Sequence, residues 1–196
     1  DTLYLTDNEQ NEKYMQVNEL ALKGRHNVYN SLAAAVAARV MEVRSDVVRE
    51  SLKTFSGVPH RLEHVRDVDG VRYVNDSKAT NVNAVWFALE SFSEPVVLIA
   101  GGRDKGNDYS SLKPLIASRV RAIICIGEAA DRIDEELGSS VPDSVIAESL
   151  EDAVKLAHLL AKQGDVVLLS PACASFDMFS SYEDRGEQFK NIVSTL

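Results

Sequence analysis

Seven consecutive residues, Asn75-Asp76-Ser77-Lys78-Ala79-Thr80-Asn81, hold a carboxylate, a lysine, two hydroxyls and two amides. The alternating run Val71 to Val74 before them reads as a strand. Asn81 to Phe92 after them reads as an amphipathic helix. A polar strand end that feeds a helix N-terminus favours an anion, because the first N–H groups of the helix lack partners and its dipole is positive there. A second lysine, Lys105, stands in Gly101-Gly102-Arg103-Asp104-Lys105-Gly106, again directly after a strand-like apolar run, Val96 to Ala100. Either lysine alone reads equally well as a solvated surface residue. Two of them behind strand ends favour one shared anion, a phosphate or a carboxylate. The glycine loop lacks the spacing of a P-loop. Arg61, after Pro59 and His60, lies at a break in the pattern, where it can reach a transferring phosphoryl group or serve as a salt-bridged interdomain arginine.

The elements that must position these groups follow from periodicity. Leu3 to Leu5 and Tyr14 to Val17 read as short strands around a polar turn, Asp7 to Glu12, too small to stand alone. Asn27 to Val43 reads as a helix with a stripe of Leu32, Val36, Val40 and Val43. Asn27 and Asn30 sit one turn apart at its start, and a cap plus an exposed amide is the favoured reading of that pair. Asp46 to Thr54 reads as a second helix, with Ser45 as its cap. Phe55 to Arg61, with Gly57 and Pro59, marks a domain boundary. Asp69-Gly70 between Leu62–Val68 and Val71–Asn75 is a type I′ hairpin signal.

Beyond Asn75, strands and helices alternate. Strands are expected at Val96 to Ala100, Ala122 to Ile126, Val145 to Ala147 and Asp165 to Leu169. Helices are expected at Ser110 to Ser118 (late or kinked because of Pro114), at Glu128 to Leu137, from Ser149 to near Gly164, and at Tyr182 to Val193. This order predicts an α/β fold: a Rossmann-like, doubly wound, mostly parallel sheet with one antiparallel hairpin strand. Its carboxyl edge collects residues 76–80, 101–105, 127–128 and 170–175.

Composition narrows the classes. The chain has 196 residues, 45% hydrophobic and 26% charged, with a net charge of −9. That balance fits a globular protein and speaks against a general nucleic-acid or anionic-membrane surface. No run approaches the roughly 20 apolar residues of a membrane span. Cys125 and Cys173 read as buried free thiols, and no metal-ligand spacing is present. His64 and His158 read as structural.

Several motifs together resemble the Mur ligase family of ATP-dependent amide-bond ligases. They are Gly24-x-His26-Asn27-x-x-Asn30 before Leu32-Ala33-Ala34-Ala35, Pro59-His60-Arg61-x-Glu63, the Asn75–Asn81 stretch, the glycine loop with Lys105-Gly106, and Leu169-Ser170-Pro171-Ala172-Cys173-Ala174-Ser175-Phe176-Asp177 with Arg185-Gly186. The resemblance covers nearly the whole chain from Gly24. It implies that residues 1–56 are the end of a central ATPase domain and residues 57–196 a Rossmann-like amino-acid-binding domain. It further implies a cytoplasmic, monomeric peptidoglycan-synthesis enzyme, in which ATP activates a carboxylate as an acyl phosphate that an amine then attacks. The long C-terminal motif implies D-glutamate as that amine and UDP-N-acetylmuramoyl-L-alanine as the acceptor. The magnesium ligands and the P-loop are expected upstream, so this chain alone is expected to be inactive.

The resemblance assigns nucleotide contacts to Asn27, Asn30, Arg61 and Asp76. D-glutamate contacts go to Lys78, Thr80, Lys105, Ser175 and Tyr182, and Arg61 and Lys78 carry catalysis. Arg103-Asp104 falls on a variable stretch of the family. The competing readings are a non-catalytic nucleotide- or anion-binding module, a sister Mur ligase, and a folylpolyglutamate-type ligase.

Overall fold

A computed structural model describes residues 1–7, 10–22 and 24–196, side chains at 5–7, 10–13, 25 and 26 excepted. It divides into two compact units, Asp1–Gly57 and Val58–Leu196.

In the first unit, β1 (Thr2–Asp7) and β2 (Gln10–Gln16) pair antiparallel. Residues 8 and 9 of the expected turn lie outside the described residues. Helices α1 (Arg25–Val40) and α2 (Ser45–Thr54) follow. Leu3, Tyr14 and Met15 of the strands pack with Leu20, Ala35 of α1 and Val48 of α2, so the small hairpin docks on the helices.

Two expectations need correcting here. Of the expected stripe Leu32, Val36, Val40, Val43, Leu32 packs against the core, but Val36 and Val40 are 52% and 76% exposed, Val43 lies beyond the end of α1, and Ala35 is 2% exposed. In an alanine-rich helix nearly every face is apolar enough to pack, so the partner's position, not the periodicity, selects the buried face. Ser45 is the first residue of α2 rather than its cap, which is Arg44, with no side-chain cap bond.

The second unit is a six-stranded sheet in the order β3-β4-β8-β5-β6-β7. Its strands are β3 (Glu63–Val68), β4 (Val71–Asn75), β5 (Val96–Gly101), β6 (Val120–Ile126), β7 (Asp143–Ile146) and β8 (Val166–Ala172). Only the β3–β4 pair is antiparallel; the other four neighbouring pairs are parallel. This is the mostly parallel sheet with one antiparallel hairpin strand that the sequence predicts. Asp69 and Gly70 at the hairpin tip have φ of 52° and 77°, the left-handed pair a type I′ turn requires.

The strands of the parallel core alternate between two packed layers. Val96, Leu98 and Ala100 face α3 (Val82–Glu90), α4 (Lys113–Arg119) and α5 (Ala130–Leu137). Val97 and Ile99 face α6 (Leu150–Leu160) and α7 (Tyr182–Ser194). Burial on both faces explains why these strands are continuous apolar runs. Helix α4 starts late, after a turn of 3-10 helix, and places Pro114 in its first turn, where a missing N–H costs nothing. Strand β8 runs three residues past its predicted end. The pairing with β5 steps from Ile99–Leu169 to Gly101–Ala172, and this bulge accommodates Pro171. Among the described residues no helix is long and apolar enough to cross a membrane.

Candidate functional site

Strand β8 lies between β4 and β5, so the loops leaving these three strands are neighbours on one sheet edge. They are knitted together by backbone. Ala172 N–H donates to the Ala79 carbonyl at 2.9 Å, and Arg103 and Ala174 exchange bonds of 2.9 and 3.2 Å. The approach is close enough to demand glycine. A Cβ on Gly101 would lie 1.9 Å from the Ile126 carbonyl oxygen, and one on Gly102 would lie 2.3 Å from that of Ala174.

On the β4 loop, Asp76 is 5% exposed. Its carboxylate accepts from the Ser170 hydroxyl at 2.8 Å and from the Leu62 N–H at 3.2 Å. Burial pushes its pKa up to about 7, against the lowering pull of those two bonds and of Arg61. Arg61 is exposed and sits between two residues in the left-handed region, His60 (φ 63°) and Leu62 (φ 44°). Such backbone costs on the order of 1–3 kcal/mol per residue unless its surroundings enforce it. Here they do: Glu63 accepts the His60 N–H, the His60 carbonyl accepts the Lys78 N–H, and Asp76 accepts the Leu62 N–H. The turn therefore presents Arg61 from a fixed frame.

Lys78 extends its Nζ to 3.0 Å from the Tyr182 hydroxyl and 4.7 Å from that ring's centroid. Tyr182 opens α7, whose cap is Ser181, accepting from the Asp184 N–H. The Ser77 hydroxyl donates to the Tyr182 carbonyl at 2.7 Å, which pins the start of α7 to the β4 loop. Thr80 is half-buried, Ser175 is buried, and Lys105 is exposed at the tip of the β5 loop. Neither of those hydroxyls, nor the Lys105 ammonium, has a hydrogen-bond or ion-pair partner among the described residues. The structure thus brings Arg61, Asp76, Lys78, Thr80, Lys105, Ser175 and Tyr182 onto loops of one sheet edge. Asn27 and Asn30 belong to the first unit. Asn27 lies inside α1 and is buried rather than capping it, and Asn30 Nδ2 is 3.4 Å from its Oδ1, as expected of amides one turn apart.

Two residues of the sequence motifs, Arg185 and His60, have no role assigned to them from sequence. Arg185 is fully buried and meets only neutral acceptors: Ser77 Oγ and O at 2.9 Å each, and the Cys173 carbonyl at 3.3 Å. Burial depresses its pKa to about 10. It ties the β4 and β8 loops to α7. His60 is buried beside Asn75, with 3.0 Å between its Nδ1 and Asn75 Nδ2, and meets the Tyr182 ring edge-on at 6.1 Å. The sequence did carry one signal for this packing: a glycine inside a helix, Gly186, where an added Cβ would lie 2.2 Å from His60 Nδ1. Cys173 and Cys125 are buried free thiols. Burial leads in raising both their pKa values, that of Cys125 to about 12, which removes them as nucleophiles. No group of three or more His, Cys, Asp or Glu among the described residues is placed to hold a metal ion.

Among the described residues, this edge offers two ammonium groups without a carboxylate partner, two unpartnered hydroxyls, and a carboxylate with a nearby arginine. Comparison with known proteins gives the family. The family model for "Mur ligase, glutamate ligase domain" matches residues 60–173. The chain is 61% identical to the UDP-N-acetylmuramoylalanine--D-glutamate ligase of Salinibacter ruber over 194 residues, 99% of the chain and 42% of that relative. The fold is similar to that of the Thermotoga maritima UDP-N-acetylmuramate-alanine ligase (TM-score 0.66, 18% identity, 90% of the chain and 39% of that structure). It is also similar to that of Mycobacterium tuberculosis folylpolyglutamate synthase complexed with ADP and AMPPCP (TM-score 0.64, 17% identity, 90% and 42%). At such identities the structural likeness speaks for the fold alone. The chain spans about two fifths of the length of the curated relative it matches.

Proposed function

The chain belongs to the Mur ligase family, and from that premise we propose that the protein adds D-glutamate to UDP-N-acetylmuramoyl-L-alanine, driven by ATP, in cytoplasmic peptidoglycan synthesis. What supports this reading is the pair of ammonium groups, Lys78 and Lys105, and the pair of hydroxyls, Thr80 and Ser175, on neighbouring loops: among the described residues neither ammonium has a carboxylate partner, and neither hydroxyl has a hydrogen-bond partner. A dicarboxylate amino acid needs two cationic partners and hydroxyl donors at fixed places. Tyr182 steers Lys78 with a neutral hydroxyl, so the lysine keeps its charge for the ligand.

Arg61 and Asp76 are the nucleotide-facing groups of the second unit. Arg61, held in its enforced turn, meets the terminal phosphate, where a guanidinium offsets charge that develops as a phosphoryl group moves. Asp76, half-protonated near neutrality, meets a nucleotide hydroxyl. Asn27 and Asn30 meet adenine and ribose, and residues 1–56 form part of the ATPase domain. ATP supplies the phosphoryl group that turns the acceptor carboxylate into an acyl phosphate. Magnesium is assigned to ligands outside the described residues, which include no cluster suited to it. The activity belongs to the whole protein, of which this chain supplies the amino-acid-binding portion.

The test is phosphate release by the full-length protein. Release is expected only when UDP-N-acetylmuramoyl-L-alanine and D-glutamate are both present. Equal turnover with L-lysine or diaminopimelate in place of D-glutamate would sink the assignment.

A further inference from the structure

Lys105 has no partner of its own among the described residues, yet the loop that carries it is held on both flanks by one side chain of α5. Arg132 donates through one terminal nitrogen to Asp104 Oδ2 and through the other to the Asn107 carbonyl at 2.5 Å. Its Nε donates to Glu136 at 2.9 Å, one turn along α5, and its guanidinium lies 5.5 Å from the centroid of the buried Tyr109 ring. Each of its three nitrogens therefore donates to a different acceptor, which fixes the orientation of the plane.

The loop itself is built to receive this clamp. Asp104 Oδ1 accepts the Asn107 N–H at 3.0 Å, closing a turn over Lys105 and Gly106, with Gly106 at φ 79°. Asn107 Nδ2 donates to the Ala172 carbonyl at 3.2 Å, the last residue of β8 and two residues before the Arg103–Ala174 bridge. The Tyr109 hydroxyl lies 3.4 Å from Asp104 and 3.1 Å from the Cys173 thiol. Partial burial works against Asp104 as a carboxylate, but the Asn107 N–H and the Arg132 charge hold it below the usual range, so it stays ionised. Residues 104 and 107 are thus fixed to α5 and β8, and Lys105-Gly106 is the short tip between them.

We propose that Arg132 is a positioning residue, which with Asp104 and Asn107 fixes the place from which Lys105 meets a carboxylate of the amino-acid substrate. The inference rests on the assignment of Lys105 above and goes beyond it to a residue on a different element. A lysine tip left to wander loses an oriented ion pair with the ligand, while the nucleotide contacts, carried by other loops, are unaffected. Lysine cannot stand in for Arg132, because a point charge cannot bridge Asp104 and the Asn107 carbonyl in one plane.

The experiment is steady-state kinetics of the full-length protein with Arg132→Met, Arg132→Lys, Asp104→Asn, the Asp104→Asn/Arg132→Met double variant and Lys105→Ala. Arg132→Met is expected to raise the KM for D-glutamate about tenfold, with the KM for ATP and kcat changed less than about twofold. Arg132→Lys recovers little of the loss. The double variant is no worse than the stronger single one, as two members of one clamp require. Arg132 is half-exposed, so its variants should fold, and the unfolding midpoint of each checks this. A KM for D-glutamate that stays put in Arg132→Met but rises in Lys105→Ala overturns the clamp and leaves the site. A parallel rise in both KM values overturns it as well, by showing a merely structural effect. No change in Lys105→Ala overturns the assignment of Lys105, and the clamp with it.

Discussion

Nζ of Lys78 lies 3.0 Å from the hydroxyl of Tyr182, joining residues 104 apart in sequence at the mouth of one sheet edge. The contact is cation to neutral phenol, with the ring beneath the ammonium. It orients the lysine without neutralising it, which is what a residue awaiting an anionic ligand requires.

Tyr182→Phe removes the hydroxyl and keeps the ring. A hydrogen bond of this kind is worth about 1 kcal/mol. The KM for D-glutamate of the full-length protein is expected to rise about fivefold, with the KM for ATP unmoved. Initial-rate kinetics with each substrate varied in turn decide it, and an effect on ATP instead would reassign the tyrosine.

The raised pKa of Asp76 gives stability a pH dependence of known sign. Its carboxyl is protonated in the folded chain up to about pH 7 but ionises near pH 4 when unfolded. The folded state therefore holds the extra proton. The contribution of Asp76 is full below about pH 4 and is lost as pH rises through about 7. Asp76→Asn removes this dependence, so the variant gains on the parent as pH climbs from 5 to 8, by at most about 1.4 kcal/mol per pH unit. Urea unfolding of both proteins at several pH values measures the difference, and parallel profiles would contradict it.

Gly186→Ala sets two effects against each other. Alanine favours a helix interior by roughly 1 kcal/mol. The new Cβ, however, would lie 2.2 Å from Nδ1 of a His60 ring already held by Asn75 and Tyr182. Overpacking at such a site costs about 1–3 kcal/mol. The clash wins, and the variant is expected to unfold at lower urea; unchanged or higher stability would show that His60 is free to move.

Much of this architecture is legible before any coordinates. Doubly buried strands such as Val96–Gly101 have no polar alternation to hide them, and Asp69-Gly70 is one of the few pairs that readily adopt the two positive φ values of its turn. The strand-end rule then brings Lys78 and Lys105 to one edge. Other features depend on packing that no local pattern records. Arg185 stands in a motif with no contact assigned to it, yet it is fully buried because the β4 and β8 loops turn their carbonyls toward it. Val36 and Val40 read as core, yet the face of α1 that carries Val28, Leu32, Ala35 and Ala38 packs instead. Pro171 reads as a strand stop, yet a bulge lets β8 continue to Ala172.

The central claim is that Lys78 serves the amino acid while other groups, Arg61 and Asp76 among them, serve the nucleotide. The most direct test is Lys78→Ala in the full-length protein, with the KM for D-glutamate and for ATP measured side by side. The expected result is a rise of tenfold or more for D-glutamate and less than about threefold for ATP. The reverse order would contradict the role given to Lys78 and the division of the site with it.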